Sequence, residues 1–294
     1  MLVISIILLS FSPLFIHWAD SPGIIASFYR MLFALIFLLP IYLRHRRKKD
    51  VDNSNNKGNF QVLLPILAGV FSALDHSFWS SAINQTSVTN ATLLNYISPL
   101  WVSIVAIIFL KEKYRNYYWL GLLLVFLGTA SVLNLIDEGF NSFNFNGEGF
   151  ALISSFFYAG YFLLSQKSRS FYSAFQHLFI SLLSCCFTLG LIITSLRIPL
   201  FSYSFQTFIT FLIAALFCQL LGYYCLTYAL GKIPASIVSP SLALQPVMTA
   251  ILAIPFAKQL LSIQQIIGSI SVLLGVILIN KSRIQNSKLI KPEI

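Results

Sequence analysis

Ten apolar segments, each long enough to cross a lipid bilayer, dominate this sequence. A helix needs roughly 17–25 mostly apolar residues to span the hydrocarbon core. Inside a bilayer the backbone must satisfy its own hydrogen bonds, so runs of this length form helices. The sequence therefore predicts an all-α integral membrane protein with ten transmembrane helices, at residues 1–17, 24–43, 61–82, 90–110, 117–136, 149–166, 174–195, 207–230, 236–256 and 263–280.

The composition excludes a soluble fold. Hydrophobic residues make up 57% of the 294 residues and charged residues only 10%, whereas a soluble domain carries about 25% charge. The net charge of +10 does not indicate nucleic-acid binding, because the basic residues form a rim along one membrane face. We expect the lipid bilayer to surround the chain. The membrane predicted is the cell membrane, specifically a bacterial inner membrane.

The distribution of lysine and arginine predicts the orientation of the helices. If the N-terminus is cytoplasmic, every basic residue except Arg30, Arg197 and Lys258 falls in a cytoplasmic loop or in the C-terminal tail. Arg30 lies within a span, and the opposite face carries acidic residues of the loop 137–148. Both termini are therefore predicted to be cytoplasmic.

An internal repeat divides the chain. A shift of 147 residues places Pro99 on Pro246, Gly121 on Gly268 and Gly128 on Gly275 without a gap. Each half holds five spans, and because five is odd the second half enters the membrane in the opposite direction. Inverted repeats are the usual build of secondary transporters. The predicted units are a first repeat at 1–136, an acidic extracytoplasmic loop at 137–148, a second repeat at 149–282 and a cytoplasmic tail at 283–294.

The first repeat resembles the EamA-type family of the drug/metabolite transporter superfamily. The stretch that carries the resemblance is FWSSAINQTSVTNATLLNYISPLWVSIVAIIFLKEKYRNYYWLGLLLVFLGTASVL. It holds the alanine, the threonine–serine loop, the mid-span proline, the following glutamate and the two spaced glycines of the family pattern: Ala82, Thr86, Ser87, Pro99, Glu112, Gly121 and Gly128.

This resemblance implies a ten-helix carrier that moves small metabolites, usually outward. The second repeat departs from the pattern, since Gln259 stands where the first repeat has Glu112. Whatever the family glutamate does, only one half of this chain can do it. The resemblance names neither the metabolite nor the oligomeric state.

Matched prolines point to the binding site. A proline inside a helix lacks an N–H and crowds the carbonyl four residues earlier, so Pro99 and Pro246 are predicted to free the carbonyls of Asn95 and Leu242 near the midplane. Such interruptions at matched positions mark binding sites in transporters, although a kink that serves only packing is the alternative. Polar or aromatic side chains of spans four, six, eight and nine are expected around them: Asn95, Tyr96, Tyr158, Gln219, Tyr223, Tyr224 and Gln245.

Asp75 and His76 lie within the third span, about eight residues from its outer end. A charge at that depth is costly and should face the interior with a partner. Arg30 in span two has a similar depth, so Asp75 is expected to pair either with Arg30 or with its neighbour His76. Trp79 follows Asp75 by four residues and shares its helix face.

Three interpretations of Asp75 stay open. It binds and releases a coupling proton, it binds a cationic or amino-bearing solute, or it forms a fixed bridge to Arg30 that only locks two helices. His76 is either a proton relay or a hydrogen-bonded packing residue. The repeat shift places His177 on Arg30, so the second half has a titratable base where the first has a permanent cation.

The function predicted from these features is secondary active transport, in the direction of export, of a small polar or amphipathic metabolite. Alternating access of the two repeats would expose a midplane cavity to each side in turn. A channel or a lipid flippase is the alternative, and an integral-membrane enzyme is a weaker one because no metal-ligand motif, phosphate loop or nucleophile elbow is present. No catalytic residue, metal or cofactor is therefore predicted.

Overall fold

A computed structural model describes residues 1–12, 15, 18–19, 21–49, 59–86, 88–109, 111–133, 145–257 and 261–287. Every regular element in these ranges is a helix. One of them is a π-helix, Ala215–Gly222. The α-helices are α1 (Leu2–Ser10), α2 (Gly23–Lys49), α3 (Asn59–Ile83), α4 (Val88–Asn95), α5 (Ser98–Ile108), α6 (Asn116–Val132), α7 (Phe145–Ser168), α8 (Ala174–Ser195), α9 (Phe205–Ala214), α10 (Tyr223–Leu230), α11 (Ala235–Ser241), α12 (Leu244–Ala257) and α13 (Ile263–Ser287).

Eight stretches among the described residues are long and apolar enough to cross a membrane. They are Gly23–Arg44, Gln61–Ile83, Ala91–Ile108, Asn146–Ser168, Ala174–Ser195, Phe205–Leu230, Ala235–Leu252 and Ile263–Ser282. Asn116–Val132 is apolar but shorter. The all-helical membrane architecture is therefore confirmed.

The count of ten spans and the orientation of the termini stay predictions. Helix α1 covers nine residues of the predicted first span, part of which lies outside the described residues. The basic loop 44–59, the acidic loop 137–148, Lys258 and the tail 283–294 also lie wholly or largely outside them.

The fourth and ninth predicted spans are each broken into two helices. Helix α4 ends at Asn95 and α5 begins at Ser98, so Pro99 occupies the first turn of α5, where a missing N–H removes no intrahelical hydrogen bond. The break between α11 and α12 matches it, with Pro246 in the first turn of α12. The prolines therefore begin new helices, and the structure shows interrupted spans rather than the alternative of a kink within a continuous helix.

The eighth predicted span changes its winding in the middle. Ala215–Gly222 forms a π-helix of eight residues between two α-helical ends. The sequence predicts one regular helix over 207–230, because an apolar span without a polar face carries no periodicity that marks a wider turn. π-Turns occur most often at functional sites, and this one holds Gln219.

Helices α6 and α13 meet along a seam of four glycines. A Cβ atom on Gly121 would lie 2.7 Å from the carbonyl oxygen of Gly275, and one on Gly128 would lie 2.7 Å from that of Gly268. Only residues without a side chain allow backbones this close, as in other membrane helix pairs. The order of the contacts shows that the two helices are antiparallel.

Several contacts between the two predicted repeats correspond under the 147-residue shift. Helix α3 packs on α7, and α1 packs on the π-helix. Helix α2 packs on α8, α5 on α11 and α6 on α13. Under the 147-residue shift α2 is equivalent to α8 and α6 to α13, so those two contacts join equivalent elements, and the contact of α3 with α7 has its counterpart in that of α1 with the π-helix.

Candidate functional site

Three polar side chains meet in the interior, and we call them the Asp75 cluster: Asp75, Asn95 and Ser154. The Asp75 Oδ1 atom accepts hydrogen bonds from Ser154 Oγ at 2.6 Å and from Asn95 Nδ2 at 2.9 Å. Asn95 Nδ2 also lies 2.7 Å from Ser154 Oγ. Asp75 is only 6% exposed. A carboxyl group in the interior is therefore held by neutral donors.

The cluster depends on the break in the fourth span. Asn95 is the last residue of α4, where the chain turns before α5. Asp75 comes from α3 and Ser154 from α7, two helices that pack on each other. The sequence predicts Asp75 and Asn95 as site residues but not Ser154, because a serine in an apolar helix commonly bonds only its own backbone.

Tyrosines surround the Asp75 cluster. The Asp75 carboxyl and the hydroxyl groups of Tyr96, Tyr161 and Tyr223 all lie within electrostatic range of Tyr158. The rings of Tyr158 and Tyr161 are stacked with centroids 6.5 Å apart, and Tyr161 meets Tyr223 at 6.0 Å. The structure thus brings together the predicted residues Tyr96, Tyr158 and Tyr223.

Arg30 does not pair with Asp75, contrary to expectation. Its Nη1 donates to Ser12 Oγ at 2.7 Å, and its Nε donates to the Ala26 carbonyl at 3.1 Å. A longer contact of 3.4 Å joins Nη2 to Ser27 Oγ. Equal depth in the membrane did not place the two side chains against each other, because Arg30 folds back along its own helix while Asp75 faces α4 and α7.

His76 and Trp79, the two predicted residues that follow Asp75 in α3, lie in different surroundings. His76 Nε2 is buried and has no hydrogen-bond partner among the described residues, and Arg30 lies within electrostatic range of the ring. Trp79 packs one turn beyond Asp75 against Ala91 and Ala151, in an apolar group formed by the same helices as the Asp75 cluster.

A small cavity adjoins the π-helix. Its volume is about 10 Å³, the room that a single water molecule needs. The polar or sulfur-bearing side chains in its wall include Ser72, Tyr161, Cys185, Gln219 and Tyr223. Gln219 is 2% exposed, and its Oε1 atom has no hydrogen-bond partner within the described ranges. The Oε1 atom of Gln219 is therefore available to accept a hydrogen bond from a bound solute.

The second helix break differs from the first in its polar groups. The Leu242 carbonyl accepts a hydrogen bond from the Gln245 backbone N–H at 2.9 Å. The expectation that Pro246 leaves this carbonyl free is therefore wrong, since a tighter turn satisfies it. The side chain of Gln245 is half-buried, and in the described part of the chain its Nε2 atom has no partner.

Two predicted residues lie apart from the Asp75 cluster. Tyr224 turns toward α8, where its ring meets that of Phe175 at 6.4 Å. His177 is fully buried, and its ring nitrogens contact Ser168 Oγ at 2.9 Å and Ser165 Oγ at 3.1 Å. Both nitrogens of His177 are thus occupied, which is the environment of a packing histidine. Within the described ranges no three metal-binding side chains lie close enough to hold an ion.

The family glutamate bridges the two halves. Glu112 lies between α5 and α6, and its Oε2 atom accepts hydrogen bonds from Tyr114 Oη at 2.5 Å and from Ser236 Oγ at 2.9 Å. Ser236 belongs to α11 of the other half, and its carbonyl accepts from Tyr118 Oη at 2.9 Å. The sequence marks Glu112 as a family residue but does not indicate these partners.

A family model described as the EamA-like transporter family matches the chain at residues 1–134 and 145–281. The two matches cover most of the sequence, and each corresponds to one of the predicted repeats. The resemblance inferred from the motifs of the first repeat is thus confirmed.

Curated relatives share shorter stretches of sequence. S-adenosylmethionine uptake transporters of Rickettsia felis and Rickettsia bellii are 27% and 26% identical to the chain over 115 residues. Those residues are 39% of this chain, and the match spans only 37% of either transporter. An uncharacterized protein of Methanocaldococcus jannaschii is 36% identical over 77 residues, which is 26% of this chain and 56% of that protein.

A protein chain of known crystal structure shares the fold. It superposes with a TM-score of 0.79, covers 97% of this chain and is itself covered to 96%. The sequence identity is 15%, so this similarity shows the common architecture alone.

Proposed function

The chain belongs to the EamA-like transporter family, and from that membership we propose that it is a secondary carrier of a small amphipathic metabolite that bears a cationic group. It is a multi-pass membrane protein of a transporter family, and the family and its named relatives point to a transporter rather than an enzyme. The mechanism in this proposal is alternating access of two inverted five-helix repeats around the Asp75 cluster.

The symmetry of the helix contacts supports the mechanism. Two halves of opposite orientation can exchange conformations, which turns an outward-open carrier into an inward-open one. The antiparallel glycine seam between α6 and α13 fits this proposal, because Gly121 meets the repeat equivalent of Gly128 and Gly128 meets that of Gly121. A two-fold axis in the membrane plane produces such reciprocal contacts.

The chemistry of the cluster supports a cationic solute and is the observation that carries the proposal. Asp75 is held by two neutral donors on one oxygen, so a positive group of the solute would supply its missing counter-charge. Tyrosine rings around it offer faces for an apolar body or an onium group. The relatives named for S-adenosylmethionine uptake make that sulfonium compound the first solute to test.

Direction and location complete the proposal. The family resemblance favours export, whereas the Rickettsia relatives are named for uptake. A carrier runs in either direction, and the gradients across the membrane decide the net flux. We place the chain in a bacterial cytoplasmic membrane with both termini inside, on the basis of its basic loops.

Counterflow in liposomes tests whether the chain is a carrier. We expect liposomes that hold the full chain and unlabelled S-adenosylmethionine to take up labelled S-adenosylmethionine transiently above equilibrium. A channel gives no such overshoot, because it does not exchange one bound solute for another. A flippase also gives no overshoot, but it moves a fluorescent lipid between leaflets. Scrambling of that lipid without an overshoot of S-adenosylmethionine would therefore contradict the proposal.

Substitution of Asp75 by asparagine separates the two functional interpretations of the carboxyl group. If Asp75 binds the solute, Asp75→Asn should lower counterflow by about tenfold or more, because a charge-assisted hydrogen bond is lost. If Asp75 only binds the coupling proton, the substitution should leave counterflow intact and abolish accumulation driven by a pH gradient. Glu148→Gln is the matched control, since Glu148 is a carboxylate of 2% exposure outside the Asp75 cluster.

A further inference from the structure

Arg30 is a buried cation whose hydrogen bonds all go to neutral oxygens. Its side chain is 4% exposed, and its partners are Ser12, Ser27 and the Ala26 carbonyl. No carboxylate in the described part of the chain lies within ion-pair distance of it. A buried charge without a counter-charge is costly, and intramembrane charges of this kind mark solute or ion pathways.

Arg30 and Asp75 share Tyr223 as an electrostatic neighbour. Tyr223 stands in the wall of the small cavity with Gln219. His76 Nε2, buried and without a partner among the described residues, lies within electrostatic range of Arg30. A neutral imidazole with its proton on Nε2 would add a donor beside the guanidinium.

From these contacts we infer that Arg30, assisted by His76, binds a carboxylate of the solute while Asp75 binds its cationic group. The inference rests on the proposed function and narrows it to zwitterionic solutes. A guanidinium presents paired N–H donors whose geometry matches the two oxygens of a carboxylate. One solute would then satisfy both buried charges, which explains why each is held by neutral groups without it.

The test compares solutes that differ only in the carboxylate. Counterflow of S-adenosylmethionine is measured against its decarboxylated form, and counterflow of leucine against isoamylamine. In the wild type we expect the zwitterions to be favoured by about tenfold or more. In Arg30→Gln this preference should fall to within about twofold, with exchange of the amines retained. Arg169→Gln is the matched control, because Arg169 also donates to backbone carbonyls, those of Thr227 and Tyr172, away from the cluster.

Each outcome separates the inference from the proposed function. Exchange of the amines alone by the wild type, or an unchanged preference in Arg30→Gln, overturns the carboxylate site and leaves a carrier of cations. No exchange of any of the four solutes contradicts both. Arg30→Lys keeps the charge but loses the paired donors, so an intermediate preference is expected even if Arg30→Gln folds poorly.

A second inference comes from the π-helix. The 147-residue shift places Ala215–Gly222 on residues 68–75 of α3, with Gln219 on Ser72 and Gly222 on Asp75. The segment of α3 is α-helical, whereas its equivalent is π-helical. Equivalent segments of the two halves therefore differ in their winding in this conformation.

The geometry points to an exchange of the two windings during transport. If inverted repeats swap conformations, residues 68–75 become π-helical and 215–222 become α-helical in the opposite-facing state. Each residue gained or lost in the winding of the segment rotates the rest of the helix by about 100°. Because Asp75 ends its segment, this rotation would carry it away from Asn95 and Ser154, and bound solute would be released.

Spin labels at equivalent positions test the exchange. The pairs Val62/Ser81 and Ile209/Tyr228 flank the two segments and are related by the same shift. The partners are about 28 Å apart along a helix, within range of pulsed dipolar spectroscopy. We expect two distance populations for each pair, and addition of a transported solute should shift their weights in opposite directions.

Labelled chains that keep counterflow, with the four buried cysteines replaced, serve as the functional control. Distances that stay single, or that shift in the same direction for both pairs, would overturn the exchange. The result does not depend on Arg30, so the two inferences fail or succeed separately.

Discussion

At the scale of residues, the interior holds charges of both signs that do not neutralise each other directly. Asp75 accepts from Asn95 and Ser154, and Arg30 donates to serines and a backbone carbonyl. Neutral partners stabilise a buried charge less than an opposite charge does. Such a site gains most from a ligand that brings both charges in one molecule.

Two adjacent tyrosines allow a sharp test of which side chains line the site. Tyr223→Phe removes a hydroxyl within electrostatic range of Asp75 and Arg30 and should lower counterflow by about three- to tenfold, the loss expected if that hydroxyl hydrogen-bonds the solute. Tyr224→Phe removes the hydroxyl of a ring that packs against Phe175 and should leave the rate within about twofold. Equal effects of the two substitutions would contradict this placement.

The sequence predicted which candidate residues lie together better than it predicted their hydrogen-bond partners. Asp75, Asn95 and Tyr158 were predicted and lie together, because proline breaks and intramembrane charge are strong signals. The Asp75–Arg30 pair was wrong, since depth along a span gives height in the membrane but not direction around the helix. Ser154 was missed because one serine among apolar residues has many uses.

At the scale of elements, interruptions of regular helices surround the site. Asn95 ends α4 at one break, and Gln219 stands in the π-helix. Interrupted helices free backbone and side-chain polar groups at a depth where water is absent. Prolines indicated the two interruptions, at which the structure shows new helices beginning, whereas nothing in the apolar periodicity of 207–230 indicated a π-turn.

Replacement of glycine by alanine should have opposite effects on stability at a position in the glycine seam and at one outside it. Gly128→Ala puts a Cβ 2.7 Å from the Gly268 carbonyl oxygen and should destabilise the chain by about 1–3 kcal/mol. Gly149→Ala meets nothing within 4 Å and should stabilise its helix by about 0.5–1 kcal/mol. Unfolding midpoints in detergent check both signs, and a stabilised Gly128→Ala would refute the close seam.

At the scale of the whole molecule, the contacts of one half repeat in the other. Helix α3 packs on α7 as α1 packs on the π-helix, which is the pattern that two five-helix repeats related by a two-fold axis would produce. The 147-residue shift, which places Pro99, Gly121 and Gly128 on Pro246, Gly268 and Gly275, predicts such a pattern. It could not predict where the copies differ, because a difference in winding arises from the conformation and not from composition.

Labelling from one side of the membrane tests the orientation of the chain. With the N-terminus inside, a cysteine at Asn141 should react with an impermeant maleimide on intact cells, and one at Asn55 should react only after lysis. The buried native cysteines should give no background. The reverse pattern would invert the predicted topology and move Glu112 to the outer face.

In the proposed carrier, the bridge from Glu112 to Ser236 would make the two faces energetically unequal. The equivalent position in the second repeat is the uncharged Gln259, whose side chain cannot form a charge-assisted link of this kind. Each tenfold bias between the two states corresponds to about 1.4 kcal/mol, and apparent affinity falls in proportion to the fraction of chains open to a solute. The protein should therefore favour one direction of transport, because its apparent affinity is higher for solute that arrives from the face opposite Glu112.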